Sequence, residues 1–351
     1  MKKIDDLLRE TVAREGSDLH LLAGEPPRVR VFGKLMPLHP ERLPGDALRS
    51  YLYEVMSDRV RQQFEARDGV DFAYTVEGLA RFRVNAFRYI QGVGAVFRVI
   101  PTRIQTLDDL RLPSVISALC RHRQGLILVT GRTGSGKSTT LAAMIDEINR
   151  LRRGHIITIE DPIEFVHQRK RCLISQREVG QHTPSFAAAL RSALREDPDV
   201  VLVGELRDLE TISLAVTAAE TGILVLGTLH TNRAAATVDR IINVFPTAKQ
   251  PQVRTMLSTS LRAVITQQLV ARQHGKGQMA AVEVLINTPA VANLIREGRT
   301  DQLETAMQSG AALGMQTMDG TLLKMMETTL ISQREAYEKA FKKELFQHPE
   351  E

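Results

Sequence analysis

Tryptophan is absent, aromatic side chains make up 5% of the 351 residues, and cysteine occurs only at Cys120 and Cys172. Two cysteines build no disulfide framework, and the nine histidines never pair at metal-ligand spacing, so neither a cystine scaffold nor a zinc cluster is readable. That economy suits a reducing cytoplasm. No uninterrupted apolar stretch approaches the roughly 20 residues of a membrane span. The opening Met1-Lys-Lys-Ile-Asp-Asp-Leu7 lacks the apolar core of a secretion signal. Direct membrane insertion is therefore not expected, and any membrane role should run through a partner. The net charge of +5 is small against 46 basic and 41 acidic residues. With few aromatics and no concentrated basic face in view, a nucleic-acid partner is not expected either.

What is present centres on one stretch. The apolar run Leu126-Ile-Leu-Val-Thr130 leads into Gly131-Arg-Thr-Gly-Ser-Gly-Lys-Ser138, and then Leu141, Met144, Ile145, Ile148 and Leu151 recur at helical spacing. This order predicts a strand, a phosphate loop and a buried helix. Gly131, Gly134 and Gly136 let successive backbone N–H groups turn inward at the positive end of the helix, which makes an anion nest. Lys137 would reach the β- and γ-phosphates of a bound nucleotide, and the Ser138 hydroxyl would be one ligand of Mg2+ bridging them. Thr133, Ser135 and Thr139 complete the set expected to hold ATP or ADP.

The length allows about two domains. Residues 1–100 read as a small α/β domain: a helix over 4–15, strands over 18–22 and 28–32, a helical stretch over 46–65, then strands over 70–76, 80–89 and 94–100. Alternation places Arg81 and Arg83 on one strand face and Phe82, Val84 and Ala86 on the other. A linker over 101–113, with Thr106, Asp108 and Asp109 as cap and turn residues, enters a core over 114–289, where strands alternate with helices as in a mostly parallel sheet covered on both faces. Thr183 and Pro184 are expected to open a helix, and Asp208 to cap another that stops at Gly222. The remainder, 290–351, reads as a helical region opened by Pro289, with a capping box at Ser332-Gln-Arg-Glu335 and methionines for adaptable packing.

Three polar clusters fall just past strand ends: 160–164, 204–205 and 228–231. In an open α/β sheet that edge binds ligands. Glu205 can orient or deprotonate the attacking water or hold Mg2+ through its water shell, although position 204 is Gly where a second acidic residue is usual. Glu160, Asp161 and Glu164 can share those duties, or Asp161-Pro162 is only a turn. His230 can sense the γ-phosphate, signal to a neighbouring subunit or be structural. Arg83 and Arg98 are either solvated strand arginines or cations supplied to the phosphates.

Taken together, the motifs resemble the type IV pilus retraction ATPases, the PilT and PilU group within the type II and IV secretion ATPases. The resemblance rests on Gly16-Ser-Asp-Leu-His20 with Pro26-Pro27, the phosphate loop, the Asp box Ile159-Glu-Asp-Pro-Ile-Glu164, and the Walker B form Asp197-Pro-Asp-Val-Val-Leu-Val-Gly-Glu205. The His box over 221–231 and Leu313-Gly-Met-Gln-Thr-Met318 extend it along nearly the whole chain. In that family Gly before the Walker B Glu is normal. The resemblance implies a PAS-like N-terminal domain, a RecA-like P-loop ATPase domain and a helical C-terminal extension. It also implies a cytoplasmic homohexamer that hydrolyses Mg·ATP and works on an inner-membrane pilus platform protein, and it allows a paralogous retraction ATPase beside it.

On the same basis Glu205 is the catalytic carboxylate, Glu164 assists, His230 serves the subunit interface, and Arg83 and Arg98 reach the phosphates. Extension and secretion motors usually carry a four-cysteine zinc element, which two cysteines cannot supply, so retraction is favoured. Ala290-Val-Ala-Asn-Leu-Ile-Arg-Glu297 departs from the usual retraction motif, and Ile286-Asn-Thr-Pro289 is similar to the PilU side, which keeps an accessory retraction motor as the alternative. A RecA-like nucleic-acid translocase is the alternative of another class.

Overall fold

The computed structural model describes residues 3–31, 33–100, 104–274 and 277–346. Two compact units divide the chain, Met1–Arg103 and Ile104–Glu351. In the first, helix α1 (Lys3–Ala13) precedes strands β1 (Asp18–Leu22), β2 (Arg28–Val31) and β3 (Lys34–Pro37). Helices α2 (Gly45–Val55) and α3 (Asp58–Ala66) then lead to β4 (Gly69–Val76), β5 (Ala80–Tyr89) and β6 (Gly92–Ile100). The sheet order is β3-β2-β1-β6-β5-β4, antiparallel throughout. Along β5 the expected alternation holds: Phe82, Val84 and Ala86 are buried against Leu8, Leu48, Leu52 and Phe64, while Arg83 and Asn85 are exposed.

Two details of this unit differ from expectation. The single helical stretch over 46–65 is two helices, parted where Ser57 turns extended and accepts the amide of Val60 at 3.4 Å, an N-cap inside an otherwise helical pattern. Strand β3 was not foreseen, because all four of its residues are exposed and leave no alternating signature. Phe32, the expected end of the second strand, and 101–103, the start of the expected linker, lie outside the described residues.

The second unit opens with a turn in which Thr106 and Asp109 cap one another and Leu107 and Leu112 are buried, so 104–113 is packed chain. Then come α4 (Ser114–Leu119), β7 (Gly125–Thr130), α5 (Lys137–Leu151), β8 (His155–Glu160), β9 (Leu173–Glu178) and α6 (Phe186–Ala193). They are followed by β10 (Val200–Val203), α7 (Leu209–Glu220), β11 (Leu224–Leu229), α8 (Ala234–Asn243) and α9 (Gln250–Ser260). A strand pair, β12 (Leu261–Ala271) and β13 (Gln278–Ile286), precedes α10 (Pro289–Glu297), α11 (Leu303–Ser309), α12 (Met318–Glu327) and α13 (Gln333–Lys339).

These strands form one sheet, β13-β12-β7-β11-β10-β8-β9, parallel except for the antiparallel β12–β13 pair. Successive residues feed opposite faces. Leu126, Leu128, Val201 and Val203 pack with α6 to α11, and Ile127, Val129, Val200 and Leu202 with α4 and α5. Asp208 caps α7 by accepting the amide of Thr211 at 2.8 Å, as expected. Met307 and Met315 are buried in the first of these cores, and Met318 and Met325 in a satellite cluster under β12 and β13.

The opening of α6 is corrected. Its cap is Ser185, which accepts the amide of Ala188 at 3.1 Å, and Thr183 and Pro184 precede the helix. Ser185 takes an extended backbone with φ near −160°, which proline cannot adopt and which presents its hydroxyl to the first turn. The capping box at α13 is half formed. Ser332 accepts the amide of Glu335, but the Glu335 carboxylate accepts the amide of Ala271 instead of turning back. Finally, the fold assembles the concentrated basic face that the linear sequence concealed, by bringing together the segments that precede β7, β8 and β9.

Candidate active site

At the carboxyl ends of β7, β8, β10 and β11 the second unit opens a cleft of about 470 Å3. Its floor is the phosphate loop. Gly131, Gly134 and Gly136 hold φ of 141°, 78° and 86°, the left-handed region that lets the loop close on itself. Lys137, buried at the first turn of α5, donates from Nζ to the carbonyls of Gly131 at 2.9 Å and Arg132 at 3.0 Å. Burial pulls its ammonium below the usual lysine range, and the carboxylates of Glu205 and Glu164 pull it part of the way back.

Strand β12 braces the loop from behind. The Gln267 side chain, 2% exposed, donates from Nε2 to the carbonyl of Ser135 at 2.7 Å and accepts from the Thr140 hydroxyl at 2.7 Å. A Cβ on Gly136 would meet that amide nitrogen at 2.6 Å, and one on Gly131 would meet the Gln267 carbonyl at 2.3 Å. Both glycines are thus required by close approach as well as by φ. Ser135 and Gly131 lie buried at the base of the loop. Thr133, Gly134, Gly136, Lys137, Ser138 and Thr139 face the cleft.

Across the cleft, Glu205 follows β10 and uses both carboxylate oxygens. Oε2 lies 2.6 Å from Arg207 Nη2, and Oε1 lies 3.3 Å from His230 Nε2, just past β11. Burial works to raise this carboxyl, but Arg207 and His230 outweigh it and hold it below the usual carboxylate range. Leu206 donates its amide to the Thr228 carbonyl at 2.9 Å, which ties the Glu205 turn to the His230 strand. Thr228 itself is the penultimate residue of β11, so that strand runs further into the cleft than expected.

The acidic cluster divides by environment. Glu160 accepts from the Thr158 hydroxyl at 2.7 Å and from Gln176 at 3.3 Å, and burial pushes its carboxyl up. Gln176 on β9 also donates to the Phe165 carbonyl at 2.9 Å and accepts the amide of His167 at 2.8 Å, so one side chain shapes the whole segment 160–167. Glu164 is exposed and faces the cleft on the Lys137 side. Hard oxygen donors suited to Mg2+, the Ser138 hydroxyl and the Glu205 and Glu164 carboxylates, therefore line the same space.

Arg83 and Arg98 belong to the first unit, where they stand opposite each other in the β5–β6 register. Arg98 Nε donates to Asp18 Oδ1 at 2.7 Å, and Arg83 Nε lies 3.9 Å from Asp71. Their side chains are 67% and 49% exposed. The Asp18 carboxyl, which burial would raise, is held below its usual range by Ser17 and Arg98.

Arg207, Gln176, Gln267 and Thr140 were not foreseen. Arg207 lies two residues past Glu205, where a cation beside a strand-end carboxylate is a readable signal. The glutamines act across strands and have no local signature.

The family described as type II/IV secretion system protein matches residues 1–344. The type IV pilus retraction ATPase PilT of Pseudomonas aeruginosa is 51% identical over 337 residues, 96% of this chain and 98% of that one. The type IV pilus ATPase PilU of the same organism is 44% identical over 323 residues, 92% of this chain and 85% of that one. A crystal structure of the pilus retraction motor PilT with bound ADP superposes with a TM-score of 0.92 at 46% identity, covering 98% of each chain.

Proposed function

The chain belongs to the type II/IV secretion system protein family, and from that premise we propose that it is an ATP-hydrolysing motor that powers retraction of type IV pili. The observation that carries the reading is the pairing, across one cleft, of a glycine-built phosphate cradle with a carboxylate held ionised by Arg207 and His230. The cradle amides and Lys137 bind the β- and γ-phosphates. Glu205 orients the attacking water and accepts its proton, and its lowered pKa keeps it available as a base. His230 adjoins that carboxylate and reports the state of the γ-phosphate to β11 and α8. Ser138, with Glu205 and Glu164 through water, would hold Mg2+, which when bound neutralises charge on the phosphates. Arg83 and Arg98 supply positive charge to the transferring phosphoryl group.

The working form is a homohexamer, cytoplasmic and peripheral at the inner membrane, that acts on a pilus platform protein. In cells lacking their retraction motor, this chain should restore retraction and Glu205→Gln should not. An accessory role is favoured by the stretch 286–297, and it predicts restoration only when a second retraction ATPase is present.

A further inference from the structure

The segments that directly precede β7, β8 and β9 read Arg121-His-Arg-Gln124, Arg150-Leu-Arg-Arg-Gly154 and Gln168-Arg-Lys-Arg-Cys172, with eight cationic side chains and no carboxylate. Hydrogen bonds sew them together. Arg152 donates to the His122 carbonyl at 3.1 Å, and Arg171 donates to the carbonyls of Arg150 at 3.2 Å and Leu151 at 3.1 Å. Asn149, fully buried at the end of α5, accepts the amides of Lys170, Arg171 and Cys172 and donates to the Gln168 carbonyl at 2.8 Å. Asp146 pairs with Arg150 and Lys170. Among the described residues, Arg121, Arg123, Arg153 and Arg169 are exposed and have no side-chain partner. Asp197 and Asp199 stand at the same edge before β10, and Asp199 is engaged by the His155 amide at 2.8 Å.

This pole is separate from the nucleotide cleft. Strands β7 and β9 are four strand spacings apart, so the basic edge is about 20 Å wide. Helix α5 runs from the phosphate loop to it, about 22 Å for its 15 residues. The three segments contain no Phe, Tyr or Trp, and His122 is the single ring in them on which a base could stack, short of the aromatic series that nucleic-acid grooves use. Nor do they contain the buried aromatic anchors on which protein interfaces rely. An edge of this width that carries four exposed guanidiniums without a side-chain partner instead suits a plane of phosphate groups.

We propose that the pole formed by 121–124, 150–154 and 168–172 docks directly on an anionic lipid surface, with the exposed arginines engaging headgroup phosphates. Its physiological sense rests on the membrane-associated motor reading, but lipid binding is measured apart from hydrolysis and from pilus retraction, so either can fail alone.

The test is co-sedimentation of the full chain with vesicles of phosphatidylglycerol and phosphatidylethanolamine, against vesicles of phosphatidylcholine alone, for wild type and Arg121→Glu/Arg153→Glu/Arg169→Glu. Wild type should bind only the anionic vesicles, and the triple variant should bind them on the order of 100-fold more weakly. Phosphate release without lipid and oligomer mass should be unchanged, which establishes that the variant is folded. Equal binding by the variant, or no binding of wild type at about 50 mM salt, overturns the proposal. So does a changed oligomer mass, which would make the pole an interface between copies, or tighter binding to duplex DNA than to the anionic vesicles.

Discussion

Gln267 and Ser135, 132 positions apart in the chain, are joined by a 2.7 Å hydrogen bond from the glutamine Nε2 to the serine carbonyl. The same side chain accepts from Thr140, so β12 holds both ends of the phosphate loop's turn into α5. Gln267→Leu leaves a buried carbonyl and a buried hydroxyl unpaired, at a cost of about 1–3 kcal/mol each. The expected result is a rise of roughly tenfold or more in the Kd for ATP, with a smaller fall in kcat. Isothermal titration beside steady-state kinetics separates the two, and an unchanged Kd would show that the loop keeps its shape without the brace.

The second prediction concerns Glu205. Replacement by Gln retains shape but removes the base, so hydrolysis should fall by about 10²–10⁴-fold while ATP still binds. Arg207→Ala should lower kcat with little change in ATP affinity, because Arg207 touches the carboxylate and not the loop. Single-turnover hydrolysis is the readout, and loss of binding in either variant would move these residues from chemistry to nucleotide capture.

Stability should depend on His167. Burial pushes its pKa from the ordinary 6.5 down to about 4. The unfolded chain therefore takes up a proton first as the medium acidifies. The stabilising effect of the neutral ring is complete above about pH 6.5 and is lost as the pH falls toward 4, by about 3 kcal/mol in all. His167→Gln should flatten that part of the urea-unfolding profile between pH 6.5 and 4. An equally steep profile in the variant would assign the acid sensitivity elsewhere.

Asn149→Ala should cost about 2–4 kcal/mol, since the buried amide oxygen serves three backbone N–H groups of the segment 170–172. Thermal unfolding measures it. A shift of under about 0.5 kcal/mol, the range of an ordinary surface change, would mean those amides find other partners.

Much of this site was legible because its chemistry is local. The phosphate loop needs its glycines, lysine and serine in one short run between a strand and a helix, and Glu205 announces itself by following a run of apolar residues. The Asp208 cap and the β5 alternation are likewise written in adjacent positions. What escaped was non-local. Strand β12 was missed because α9 passes from Ser260 directly into Leu261 with no turn residue, and because Arg262, Thr266, Gln267 and Gln268 interrupt its apolar run. One of those interruptions is functional, since Gln267 is the brace. The basic pole escaped for the same reason: three short runs are separated in the chain by a strand and a helix or by a strand and a loop, and only the start points of β7, β8 and β9 bring them to one edge.

The central claim, that this cleft hydrolyses ATP through its phosphate loop within an assembled motor, is tested most directly by phosphate release from wild type and Lys137→Ala, with oligomer mass recorded in the same samples. The expected result is a wild-type hexamer that releases phosphate and a Lys137→Ala hexamer that does not. Turnover by Lys137→Ala at the wild-type rate would contradict the site assignment, and with it the motor mechanism built on that cleft.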